Sequence, residues 1–529
     1  MRLLRIHPST SLGFLIVGAI AGSRASGQCG ELQMLTASDG TASDYYGVDV
    51  DIDGDVAVVG ATGDDPDGSS SGSVYVYRFD PAAGQWMEEQ KLTAGTSGAA
   101  GDDFGRAVTV SGNVIAIGAQ LDNDDSNPAI TDKGSVYVYR YDPNSKSWVL
   151  EKKITASNGS AGDRFGLGID VDGDLLAIGA FLDDDCEPDS GSVYVFRYSG
   201  PVLSWLNETQ LQGSCCSADD QLGYDVGVRR DDVLGDVVVA GAPHDDPLGT
   251  NSGSAYVFRR DTITKSWSKG QKLTPAGGQG LDVFGFSVAI DEFIVVGAYK
   301  DDNPSGTVDV GSANVFGYDE SSGQWIEIAK LDPIDPNQSD WFGTSVGTSG
   351  DVIVVGAQLD DLTFVDAGSA TVFRRCGDTW VADEMLAPRT RGTSDWFGFS
   401  AAVSGDRAIC GAYLDDTNKG VDSGAAYIYG AGEIGLMMTP TTVMPGALMN
   451  VSMFYGEPGD PVLFVAVSLN GGPIFDPLFL ATFGGDHTLT FSSNVPSSVS
   501  GITVGFQAYE IDACGHITGS NIVYVIFQC

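Results

Sequence analysis

The chain has 529 residues, a formal net charge of −43, 71 Gly, and Asp and Glu well in excess of Lys and Arg, a composition suited to many tight turns between short strands in at most two or three domains. Such a charge excludes nucleic acid and anionic membranes as partners, because both require Lys/Arg surfaces that neutralise phosphate, and it leaves cations and basic surfaces as the natural ones. With only four His, no His cluster for zinc can be assembled either.

At the N-terminus, Arg2 and Arg5 precede an apolar run from Leu12 to Ala21, followed by small residues at Ser23, Ala25, Ser26 and Gly27. This pattern predicts a secretory signal over residues 1–27, cleaved after Ala25 or Gly27. The run is too short to span a bilayer comfortably and no later stretch is longer, so no membrane insertion is expected. Export to the cell surface or beyond makes disulfides available to the eight Cys,.

From residue 31 onward one unit recurs at a spacing of about sixty residues, the signature of a repeat architecture. Its Phe-Gly step appears as Tyr46-Gly47, Phe104-Gly105, Phe165-Gly166, Leu222-Gly223, Phe284-Gly285, Phe342-Gly343 and Phe397-Gly398. A Gly-Ala step follows each, beginning at Gly60, Gly118, Gly179, Gly241, Gly297, Gly356 and Gly411. Alternating Val48, Val50 and Ile52, then Asp53-Gly54-Asp55 and Val56 to Val59, read as a β-hairpin,. A third strand begins at Gly72-Ser73-Val74-Tyr75 and a fourth runs from Trp86 to Leu92. The seventh copy lacks the Trp-led strand, and the missing piece lies at the other end, where residues 31 to 37 match 89 to 94. Seven four-stranded units predict an all-β, seven-bladed propeller over residues 28–430, closed by pairing residues 31 to 37 with 425 to 429 so that no open ladder is left.

The Asp-x-Phe-Gly, Gly-Ala and Gly-Ser-x-Tyr-Val-Phe elements resemble the FG-GAP repeats of integrin α-subunit propellers and, more closely, their bacterial secreted relatives. The resemblance implies a propeller used mostly for adhesion or binding, on a scaffold whose relatives include a few enzymes. After Gly430 there is no further Lys or Arg, and β-rich runs such as Val462 to Val467 and Ile522 to Ile526 alternate with Gly/Pro/Ser breaks. These predict a small β-sandwich-like domain over residues 431–529.

Asp49-Val50-Asp51-Ile52-Asp53-Gly54 has the spacing of the calcium loop that integrin-type repeats carry,. The copy around Phe104 covers the same distance with a plain Ser-Gly-Asn turn, so these residues are read as hairpin. The stronger acidic signal is periodic. An Asp stands two residues before every Phe-Gly step, at Asp44, Asp102, Asp163, Asp220, Asp282, Asp340 and Asp395. A second set follows each Gly-Ala step as the pairs Asp64-Asp65, Asp183-Asp184, Asp245-Asp246, Asp301-Asp302, Asp360-Asp361 and Asp415-Asp416, with Asp122-Asn123 in the second copy. All belong on one face of a propeller. Each Asp can accept backbone N–H bonds in its own loop, and so many close carboxylates also suit Ca²⁺; the twelve residues of the six pairs are the candidate metal ligands.

His244 stands before one Asp pair as a solvated loop residue, and no Ser-His-Asp spacing is visible,. Trp341 and Trp396 precede Phe-Gly on the acidic face of adjacent units, either as rim packing or as a carbohydrate platform. Cys186 is placed to bond one of Cys215-Cys216, and Cys514 to bond Cys529. Cys29 and Cys376 share the opposite face, and Cys410 reads as a buried free thiol. The sequence therefore predicts a secreted or cell-surface binding and adhesion propeller without catalytic activity, for an extracellular protein or glycan ligand. The alternatives are an extracellular propeller enzyme acting on polysaccharide and a structural envelope component. The oligomeric state is not legible.

Overall fold

The computed structural model describes residues 31–430 except 124–126, 128–129, 215, 232–234, 304 and 363, and beyond 430 only the backbone of strands. The predicted signal segment, His487, His516, Cys29, Cys215, Cys514 and Cys529 lie outside the described residues.

Seven four-stranded antiparallel sheets follow one another between residues 31 and 430. The first comprises Tyr46–Asp53, Val56–Ala61, Ser73–Asp80 and Gln85–Leu92, and the others repeat this meander. Each innermost strand packs against the next, and the first packs against Ser400–Ser404 of the last, so the sheets form a closed ring of seven blades. Burial explains the sequence pattern. All six residues of Val56–Ala61 are buried, because a second strand is covered on both faces by neighbouring blades and must be apolar throughout,. In the outer strand Gln85–Leu92 only Trp86 and Leu92 are buried.

The two recurring glycines face each other across blade junctions. A Cβ on Gly60 would lie 2.0 Å from the carbonyl oxygen of Gly105, which itself sits at φ +90°, so neither position tolerates a side chain. The junction between last and first blades is built the same way, with Gly411 against Gly47. The final blade takes its fourth strand from Glu31–Leu35, in register Glu31↔Tyr429, Met34↔Tyr427 and Leu35↔Ala426. The predicted closure is observed.

A second belt ties the blades at their outer edge. Each outer strand has a β-bulge that leaves one residue unpaired, and at Glu89 this residue accepts a bond from Trp148 Nε1 of the next blade (3.0 Å) while pairing with Arg78 of its own (2.9 Å),. Glu151 and Glu208 repeat the device with Trp205 and Trp267. Blade four departs from the expected strand between Trp267 and Leu273. Gly270 occupies the bulge at φ +84°, so the strand shortens to Gln271–Leu273 and Trp267 keeps only a single bridge to Arg260.

Cys186 and Cys216 form a disulfide that fastens the second-to-third-strand loop of blade three to the link into blade four. Cys410 is a buried free thiol, and Cys376 is disulfide-bonded to a partner outside the described residues. In the C-terminal segment the backbone forms a three-stranded antiparallel sheet of Gly435–Thr439, Leu448–Phe454 and Thr488–Asn494. A six-stranded sheet there is centred on Pro461–Leu469 and Thr503–Ile511.

Candidate functional site

The inner strands enclose an axial channel of about 440 Å³ lined by residues from all seven blades. An innermost strand is an edge strand, and its free N–H groups must find partners. Here the neighbouring blade supplies them from side chains at every second position. Asp49, Asp51 and Asp53 of blade one accept the N–H groups of Val108, Val110 and Gly112, each at 2.7 Å. At the hairpin end this becomes a complete ring. Asp53 is followed by Ser111 to Gly173, Asp172 to Arg230, Arg229 to the Asp291 carbonyl, Asp291 to Gly350, Ser349 to Gly405 and Ser404 back to Gly54. The hairpin reading of Asp49 to Gly54 is correct, with Gly54 at φ +57°. What sequence reasoning missed is that the alternate carboxylates point at the next blade.

Enclosure has an electrostatic consequence, only partly offset at Asp49 by the nearby Arg106. Burial raises Asp49 and Asp170 to about 7 and Asp51 to about 8, and Asp225 to about 6, against the lowering effect of their backbone N–H bonds,. Asp51 and Asp170 also repel each other, and Thr109 donates its hydroxyl to Asp170.

The periodic Asp residues of the loops do gather on one face, where the second-to-third-strand loops meet the links between blades. Each is engaged by its own chain. The Asp before each Phe-Gly step accepts the N–H three residues earlier, as Asp44 does from Thr41 (2.6 Å) and Asp340 from Asn337 (2.8 Å). The first Asp of each pair turns inward. Asp64 meets Lys91 (2.5 Å) and Tyr75, Asp245 meets Lys272 (2.5 Å) and Ser254, and Asp301 meets Lys330 (2.5 Å) and Ser312. Asp183 is held by Tyr194 and Gln210, Asp360 by Ser369 and Asp415 by Tyr427. The second Asp closes the loop: Asp65 accepts the N–H of Ser70, Asp184 of Asp189, Asp246 of Asn251, Asp302 of Asp309, Asp361 of Asp366 and Asp416 of Asp422. Among the described residues no three His, Cys, Asp or Glu side chains are grouped to hold a metal ion. Blades six and seven differ from the lysine-bearing ones. Met385 and Met34 stand where blades one, two, four and five place Lys and blade three places Gln210, cross-strand from Thr371 and Tyr427, and Asp360 keeps one buried oxygen without a partner.

Aromatic side chains gather around the channel mouth on this same face, of which sequence reasoning singled out only Trp341 and Trp396. Phe181, Tyr224, Phe286, Tyr299 and Trp341 form one chain of edge and tilted contacts, with centroids 4.6 to 5.4 Å apart. Tyr413 gathers Tyr45, Trp396 and Phe399 into another. Arg106 lies over Phe399 (5.7 Å), and Lys300 lies over Tyr299 and Trp341 (5.4 and 5.9 Å). Trp341 and Trp396 sit at φ +58° and +56°, and the residue before Phe-Gly has positive φ in all seven blades. His244 is half-buried nearby and its pKa is lowered by burial.

A family model described as FG-GAP repeat matches residues 29–77, 86–139, 148–196, 205–258, 267–316, 325–373 and 380–429, more than half of the chain. No curated protein matches it. Among solved structures, Saccharomyces cerevisiae Sqt1 is similar at 10 % identity and a TM-score of 0.39, over 89 % of this chain and 100 % of that one. A putative 6-phosphogluconolactonase from Bacteroides fragilis is similar at 10 % and 0.43, over 79 % and 93 %. Likeness at that level carries no inference about activity. With all seven matches falling on the seven blades, the chain belongs to the FG-GAP repeat family.

Proposed function

We propose that this protein is an exported, non-catalytic binding and adhesion propeller that engages an extracellular protein or glycan through the Phe-Gly face of blades five to seven. The observation that carries this reading is a local break in sevenfold symmetry. Scaffold positions on that face repeat in every blade, but two others turn apolar together. Val308, Val365 and Val421 are exposed where earlier blades have Ser69, Thr131, Pro188 and Thr250. Trp341 and Trp396 stand where blades two to four have Asp103, Arg164 and Gln221, with Val283 in blade five and Tyr45 in blade one, which adjoins blade seven. Holding a bulky residue in the left-handed region costs about 1–2 kcal/mol, and the other five blades fold without a Trp there. The Cys186–Cys216 bond fits an oxidising, extracellular setting,.

The test is retention of ligands from a panel of extracellular proteins and glycans by the full chain, compared with Val365→Ser/Val421→Ser and with Thr131→Ala of blade two as a control on the opposite arc. Retention that ignores the valine substitutions, or turnover of any retained glycan, overturns the reading. A divalent cation such as Ca²⁺ belongs to the same proposal as a stabiliser of the loops where Met replaces the cross-strand lysine, at Asp360-Asp361 and Asp415-Asp416.

A further inference from the structure

We propose that the mouth of the channel at blades six and seven is a subsite for a neutral saccharide, its sugar rings stacking on Trp341 and Trp396; this rests on reading that face as the binding face. Two polar atoms there are without partners. Gln358 is 4 % exposed and its Oε1 is buried with no hydrogen bond, and Trp396 Nε1 is likewise buried and unbonded. Their placement follows from the repeat. Gln358 holds the position in blade six that Tyr299 and Tyr413 hold in blades five and seven. Tyr299 packs on the Trp of the following blade and Tyr413 on that of its own, so Gln358 falls between Trp341 and Trp396. One acceptor and one donor between two indoles match what a sugar presents, apolar ring faces edged by hydroxyls. Arg106 adds donors, because its guanidinium stacks on Phe399 and makes no ion pair or hydrogen bond among the described residues.

Charge selects among ligand classes. A cationic partner would meet Lys300 and Arg106 already lying over the aromatic faces, and a polyanion would meet a chain of net charge −43,. A neutral ring with hydroxyls meets neither penalty and satisfies both unpartnered atoms.

Five of the eight Trp lie on the outer strands and Trp267 on the bridge that precedes the fourth blade's, so Trp341 and Trp396 are the two placed to report on this mouth. The experiment titrates the full chain with neutral hexasaccharides of β-glucose, β-mannose and β-xylose, with oligogalacturonate and with oligolysine, read by Trp emission and calorimetry. At least one neutral probe should bind saturably, with affinity changing less than about two-fold between 0.05 and 0.5 M NaCl. Gln358→Leu should weaken it about ten-fold, as expected for a hydroxyl left unpaired, and Trp341→Ala/Trp396→Ala should abolish it without shifting the melting temperature of the ring by more than a few degrees. If no neutral probe binds, or binding survives the double substitution, the saccharide assignment is wrong. If oligogalacturonate or oligolysine binds instead and is lost in the double variant, the face remains a binding face and only the saccharide assignment falls.

Discussion

Asp51→Asn tests the electrostatics of the channel. The Asp51 carboxylate accepts Val110 N–H at 2.7 Å, faces Asp170 across the junction and is raised by burial to about 8. A carboxyl whose pKa is higher folded than unfolded contributes most below its unfolded value near 3.8, and that contribution is lost as pH climbs toward the folded value. At pH 8 the full shift of about 4 units corresponds to ~5 kcal/mol at 1.36 kcal/mol per unit. Coupling to Asp170 and access to channel water reduce this, and we expect about 2 kcal/mol. Asn keeps an acceptor for Val110 and removes the charge. With ~2.1 cal/mol/K per residue of unfolding entropy over about 400 residues, the variant should melt about 2–3 °C above the parent at pH 8. At pH 4 the two should coincide. Calorimetry across pH 4 to 9 provides the assay. A variant that melts lower than the parent at pH 8, or a gain that is the same at pH 4, would refute the account of reluctantly ionised carboxylates on the channel wall of blades one, three and four.

Met385→Lys should supply blade six with the ammonium that Lys91, Lys272 and Lys330 give their blades, stabilising the ring by about 1 kcal/mol at pH 8 and less near pH 4, because burial raises Asp360 above the ordinary carboxylate value and favours its neutral form as pH falls; urea unfolding at the two pH values reads it. Replacing Cys186 and Cys216 by Ser opens a 30-residue separation and should cost about 3–4 kcal/mol by loop entropy, measured as a lower denaturation midpoint under non-reducing conditions. If Ca²⁺ acts on the unneutralised loops, melting temperature should rise with Ca²⁺ over EDTA, and Asp361→Asn with Asp416→Asn should remove the difference; identical melts in the parent would strike calcium from the description. Deleting residues 31–35 should leave the Ala425–Gly430 edge open and give concentration-dependent association in light scattering,.

The fold was legible because its scaffold residues are locally obligatory and repeated. Gly60 and Gly105 admit no side chain at a blade junction, and the same demand recurs seven times, so the period survives even where Leu222 stands for Phe. The loop carboxylates were legible as a pattern, and their role as N–H acceptors follows from the same backbone recurring. The channel was not legible, because alternation at Asp49, Asp51 and Asp53 says only that three side chains share one side of a strand; which neighbour they meet depends on ring curvature. The mouth was hidden for a related reason. Phe181 follows a Gly-Ala step whereas Tyr224 and Phe286 follow the Phe-Gly steps of the next two blades, and their contacts exist only between units.

The register of Leu35 with Ala426 also governs when this molecule can come into being. Six blades are each contained in a contiguous run of sequence and can form as that run becomes available, but the seventh needs both extremities of the propeller region at once. Sealing is therefore a late event with the longest reach of any pairing in the ring. Under load or heat the same seam, joined by one five-residue strand, is where separation should begin.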